Sequence, residues 1–203
     1  MARPRKFDEA KVMRAVRDRF WATGYAGTSL DDLTEATRLG RGSLYGAFGD
    51  KHALFLRTLD EYCDDAVGGV RAELRGSGDA YERLAAHVRA TAASVVADAD
   101  RRGCLLAKSA AELAGTDADV AARVARGFAD LHAVLTECVA EAQRDGALDP
   151  DADPAALAGL VLTVLRGLEA LGKGGAAPSV VTGAAEQALA LLPRPAPVKH
   201  PHG

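Results

Sequence analysis

The stretch GRGSLYGAFGDK, Gly40 to Lys51, places four glycines and two basic residues in twelve positions. Two chemistries compete for it: a loop that cradles phosphate, and a helix that brings its backbone close to another molecule. Gly40, Gly42 and Gly46 approximate a G-x-G-x-x-G spacing, but a dinucleotide fingerprint needs a buried strand directly before it. What precedes is LDDLTEATRL, residues 30–39, a polar helical segment. A P-loop needs Gly-Lys-Ser/Thr after four spacer residues, whereas Lys51 is followed by His52. Nucleotide binding is not expected.

Set on a helix at about 100° per residue, the stretch sorts by face. Leu44 and Phe48 share one side; Gly42 and Gly46 lie opposite, with Ser43 and Ala47 beside them and Arg41 and Tyr45 on the flank. Glycine inside a helix costs about 1 kcal/mol relative to alanine. Two on an exposed face therefore suggest close approach to a partner, the alternative being a poorly formed linker helix.

Around this stretch the spacing predicts further helices. Val12, Val16 and Phe20 recur four apart with Ala15 beside them, and Gly24 stops that helix. Thr28 to Asp31 fits a capping box for a short helix with Leu30 and Leu33 inward, ending near Thr37. A three-residue break at 38–40 leads into a helix from Arg41 to Phe48, and Asp50 is placed to cap a long one. Beyond RGSGD at 75–79, helices are expected over about 80–100, 105–114, 118–145, 154–172 and 180–192. Gly103, Gly146, Asp149-Pro150 and the loop GKGGAAP, 172–178, punctuate them. No strand-length run of β-branched residues occurs. The chain of 203 residues is 48% hydrophobic but only 5% aromatic, an Ala- and Leu-rich helix composition. The expected fold class is all-α.

The formal charge of −3 is unevenly spread: residues 1–57 carry 11 Lys/Arg against 7 Asp/Glu, and the remainder 14 against 21. A basic end on an acidic body suits a polyanionic partner, or is ordinary surface scatter. Arg3, Arg5 and Lys6 would then form an arm along that partner, or a solvated tail. Cys63, Cys104 and Cys138 lie far apart with no CxxC pair, so no metal, cofactor or disulfide framework is expected. No apolar run reaches the roughly 20 residues of a membrane span, and the start MARPRKFDEAK is charged where a signal peptide is apolar, so no membrane association and a cytoplasmic location are expected. Neither G-x-S-x-G nor HExxH occurs, which leaves an enzyme little support.

Two short helices joined by a three-residue turn, preceded by a third and followed by a long one, describe a helix-turn-helix. Phe20, Gly24, Tyr25, Thr28 and Ser29, followed by Gly42 to Tyr45, Phe48, Lys51 and Leu54, closely resemble the N-terminal domain of TetR-type transcriptional regulators. The resemblance implies an N-terminal helix-turn-helix DNA-binding domain over 1–50, a C-terminal helical ligand-binding and dimerisation domain over 51–192, and a disordered tail over 193–203. It implies a homodimeric repressor on a palindromic double-stranded DNA operator, released by a small-molecule effector; a helical interaction protein without sequence-specific DNA binding is the alternative.

Matched by position, phosphate contacts fall on Thr28, Tyr45 and Lys51, with Ser29 beside them. Base-edge contacts fall on Arg41, Gly42, Ser43, Gly46 and Ala47, joined by Arg38. Arg38 stands where the family usually has the turn glycine, and Gly40 where it has a Ser/Thr cap, so the turn is expected to be displaced. Further on, RRGCLLAKSAAELAG, 101–115, resembles a family segment that includes electrophile-sensing cysteines. Cys104, behind Arg101-Arg102-Gly103 at a helix start, would react as a thiolate, or is small apolar packing. Ligand candidates are Tyr62, Tyr81, His87, Cys104, Phe128 and His132, for a small apolar or electrophilic effector. The apolar stripes of the last two helices supply dimer candidates Leu157, Leu160, Val161, Val164, Leu165, Leu168, Val181, Ala185 and Leu189, with burial inside the protomer as the alternative.

Overall fold

The structure is a computed structural model describing residues 7–195. The described residues form nine α-helices and no strand, as the composition requires: α1 Glu9–Thr23, α2 Leu30–Thr37, α3 Arg41–Phe48, α4 Lys51–Leu74, α5 Ala80–Ala97, α6 Leu105–Leu113, α7 Ala118–Arg144, α8 Pro154–Lys173 and α9 Pro178–Ala190. They divide into two compact units. The first takes residues up to Ala66 together with Cys104–Gly127, and the second takes Val67–Gly103 with the chain from Phe128 onward. The boundary thus differs from a single cut after residue 50: the start of α4, all of α6 and the start of α7 cluster with the three N-terminal helices.

In the first unit, caps written in the sequence set the helix ends. The Asp8 carboxylate accepts from Lys11 N at 3.1 Å, and Gly24, at φ 80°, ends α1 in a conformation that favours glycine. The box on α2 lies one residue later than expected: Ser29 is the N-cap, its Oγ accepting from Asp32 N at 3.1 Å while Asp32 Oδ2 accepts from Ser29 N at 2.8 Å. Arg38 ends α2 in the left-handed region, φ 56° and ψ 26°. The turn is therefore not displaced, because the arginine adopts the geometry a glycine would take. Asp50 Oδ1 accepts from Ala53 N at 2.8 Å at the start of α4. Val12, Val16, Phe20, Leu33, Leu44, Leu54, Phe55 and Leu59 fill the core. Phe20 meets Phe55 edge-on with ring centroids 4.9 Å apart.

The second unit packs α5, α8 and α9 around Leu84, Val88, Leu135, Val139, Leu165, Leu168, Val181 and Leu189. Asp153 caps α8 ahead of Pro154, and Pro178 opens α9, so α9 starts inside the expected loop. At Gly172 a Cβ would fall 2.2 Å from Val95 Cγ1, so a larger residue would make the Val95 side chain or the α5–α8 approach shift there. The expectation that no segment is apolar enough to span a membrane needs correction. By length and composition α8, 20 residues with mean hydropathy 1.6, passes that test. Its buried side is already committed to α5 and α9. Nor does the 193–203 segment begin loose: Pro193 O accepts from Asp149 N at 3.0 Å, and the Arg194 guanidinium lies 3.6 Å from the Tyr81 ring centre. The rest of that tail, and the Arg3, Arg5 and Lys6 arm, lie outside the described residues.

Candidate nucleic-acid interface

On α3, Leu44 and Phe48 are buried while Arg41, Gly42, Ser43 and Gly46 are exposed. A Cβ at Gly42 or Gly46 would meet nothing within 4 Å. These glycines answer no crowding inside the protein, and they leave the helix backbone bare on its outer face. Tyr45 and Ala47 are half-buried at the edges. Gly40 caps α3 without any side-chain hydrogen bond, as its lack of a hydroxyl dictates. At the N-terminus of α3, Arg41 Nη2 donates to Asp31 Oδ1 at 2.8 Å.

Lys51 stands beside this helix pair, its Nζ 4.2 Å from the centre of the Tyr25 ring. Tyr25 in turn packs on Phe55 at 4.9 Å. Burial, then the charges of Asp50 and Asp117, raise the Tyr25 phenol above its ordinary pKa, so it stays a neutral platform under the ammonium. Next to Lys51, His52 Nε2 is 2.7 Å from Asp117 Oδ2. The Val120 amide and His52 hold the Asp117 carboxyl below the usual carboxylate range.

Thr28 does not stand where a phosphate contact requires. Its side chain is 0% exposed, its hydroxyl donates to Gly24 O at 2.6 Å, and Thr23 Oγ1 lies 2.7 Å away. The residue locks the α1–α2 turn from inside. Ser29 is exposed, with its hydroxyl engaged by Asp32.

Two residues that no site reading of the sequence singled out hold this turn from α6. Lys108 Nζ donates to Trp21 O at 3.1 Å and Ala22 O at 3.0 Å, carbonyls at the C-terminal end of α1. The Glu112 carboxylate accepts from Tyr25 N at 3.0 Å and Ala26 N at 2.6 Å. Gly24 is favoured here by its φ of 80°, and a Cβ would in addition come within 2.6 Å of Glu112 Oε2, so that the carboxylate would have to shift. Lys and Glu four apart on a helix read in sequence as a local ion pair, and nothing in that spacing signals backbone partners more than eighty residues away.

Of the ligand candidates, Tyr62 and Cys104 meet, the phenol donating to Sγ at 3.7 Å. Cys104 is 5% exposed at the start of α6. Within the second unit Tyr81 is core, its hydroxyl donating to Leu189 O at 3.3 Å. His87 pairs with Glu73 at 2.6 Å, His132 lies 2.8 Å from Ala155 O, and Phe128 is half-buried. Each of these two histidines is thus already committed to a partner within its own unit.

The dimer candidates divide. Val161, Leu165, Leu168, Val181, Ala185 and Leu189 are at most 5% exposed inside the protomer and so are corrected to core. Leu157 and Val164 are half-buried and Leu160 is 46% exposed. Leu171 on α8, Val180 on α9 and Leu191 at the C-cap of α9 are also exposed.

Residues 12–58 match the model for bacterial regulatory proteins of the tetR family, and residues 80–185 match the tetracyclin repressor-like C-terminal domain. The chain belongs to the TetR family. A solved relative, a cysteine-substituted TetR family regulator CifR on 26-bp double-strand operator DNA, is 34% identical with a TM-score of 0.81, over 94% of this chain and 100% of that one. The transcriptional repressor ComR of Escherichia coli is 28% identical over 192 residues, 94% of this chain and 91% of that protein. A shorter match, 31% over 87 residues, 43% of this chain and 40% of the other, is to the transcriptional activator FasR of Mycolicibacterium smegmatis. This TetR-family protein is accordingly a DNA-binding transcriptional regulator rather than an enzyme.

Proposed function

We propose that this TetR-family protein is a cytoplasmic homodimeric repressor that binds a palindromic operator through α3 and leaves it when a small apolar or electrophilic effector binds. The observation that carries the DNA contact is the bare outer face of α3, flanked by exposed Arg41 and Ser43 and by Lys51 on its aromatic platform. Gly42, Gly46 and Ala47 let the backbone approach the major groove, Arg41, Ser43 and Arg38 supply the polar atoms that read base edges, and Tyr45 and Lys51 meet phosphate. With so few reading side chains, specificity draws on DNA shape and on half-site spacing. Repression follows from occupying promoter DNA, and the similarity to a repressor over nearly the whole chain supports that direction.

A palindrome requires two copies. The face that suits the second is Leu157, Leu160, Val164 and Leu171 on α8, spaced three, four and seven residues apart, with Val180 and Ala184 on α9 and Leu191 at its C-cap. Leu160, Leu171, Val180 and Leu191 are 40–69% exposed in the protomer, an apolar face that association would cover. Salt-dependent binding to the intergenic DNA upstream of the protein's own gene tests the function. Saturable binding that weakens with salt and is competed poorly by random duplex is expected, and equal affinity for both duplexes would overturn it.

A further inference from the structure

Two acids open α2, and each meets an arginine. Asp32 belongs to the cap through Ser29 and pairs with Arg19. Asp31 has no part in the cap: its carboxylate, 86% exposed, holds the Arg41 guanidinium, 58% exposed, at 2.8 Å. So exposed an ion pair adds little to folding stability. A carboxylate beside a surface that meets phosphates also repels DNA. What the pair does fix is the direction of Arg41, at the first position of α3.

An arginine has five N–H donors in a planar fork, and the contact to Asp31 occupies one nitrogen. The remaining fork suits a two-bond contact to guanine O6 and N7. Unheld, the same long side chain would sweep many rotamers and neutralise whichever phosphate came near. Held, it surrenders less freedom on meeting the base. The effect is concentrated on this residue because Gly42 and Gly46 add no side chain to the outer face of α3 that could read a base in its place.

We propose that Asp31 is a specificity-determining positioning residue, which aims Arg41 at a guanine and keeps it off the neighbouring phosphates. This rests on Arg41 reading a base. The intact protein is used to select preferred sites from random duplexes, and affinity is then measured by fluorescence anisotropy on the selected duplex, on variants with single G·C pairs exchanged, and on random duplex over a range of salt. For the wild type, exchange of the contacted pair costs about tenfold or more. Asp31→Asn binds random duplex more tightly, with a salt slope steeper by about one, while discrimination at that single pair falls below about threefold. In an Arg41→Ala background the same change leaves discrimination untouched. If Asp31→Asn shifts all duplexes equally and keeps full discrimination, Asp31 is only a repulsive surface charge and the positioning role is wrong. If Arg41→Ala itself keeps full discrimination at every pair, the base-reading role of Arg41 fails and the positioning role falls with it.

Discussion

Arg38 occupies φ 56°, a region that costs a side-chain-bearing residue about 1 kcal/mol and glycine almost nothing. Arg38→Gly is expected to raise unfolding stability by about 0.5–1 kcal/mol in urea titration, while binding to operator weakens if the guanidinium reads DNA. The capping box is a second residue-scale case. Thr28-x-x-Asp31 and Ser29-x-x-Asp32 both satisfy the pattern, so the sequence could not choose between them. Burial chose: the Thr28 hydroxyl turns inward to Gly24 O, leaving Ser29 at the cap. Ser29→Ala should cost about 0.5–2 kcal/mol, and no loss in a denaturant melt would contradict the assignment. Burial also pushes the Cys63 and Cys138 thiols up to about 11. At pH 8 roughly one in a thousand of either is thiolate. In a short iodoacetamide pulse of native protein, mass spectrometry should find both unlabelled, with alkylation only after unfolding.

At the scale of elements, helix number and most boundaries were legible because apolar period and end signals agree at nearly every junction. Two things were not. The pattern reports which residues are apolar, not which part of a broad stripe faces the protomer's own core. Val161, Leu165 and Leu168 of α8 went inward, and Leu160 and Leu171 were left out. The hold of α6 on the α1–α2 turn was also hidden, because it joins side chains to backbone groups that carry no residue signature. Glu112→Ala removes the acceptor for the Tyr25 and Ala26 amides and should destabilise the protein by about 1–3 kcal/mol. Hydrogen exchange would show faster loss of protection at those two amides; unchanged exchange would mean that the carboxylate contributes nothing there.

For the whole molecule, the outward face of α8 and α9 and the recognition helix α3 make separable demands. Light scattering on the protein at micromolar concentration should give twice the 21.1 kDa chain mass, and Leu160→Glu with Leu191→Glu should return the single-chain mass while helical content is retained. A wild type that runs only at 21.1 kDa would remove the dimer. The reading of DNA by α3 is tested most directly by titrating wild type, Arg41→Ala and Lys51→Ala against one selected duplex and its single-base-pair variants across a range of salt. Arg41→Ala is expected to lose about tenfold on the selected duplex and to relax preference at one pair, whereas Lys51→Ala weakens all duplexes alike with a salt slope shallower by about one. A wild type with no sequence preference, or an Arg41→Ala variant that weakens every duplex equally, would contradict it.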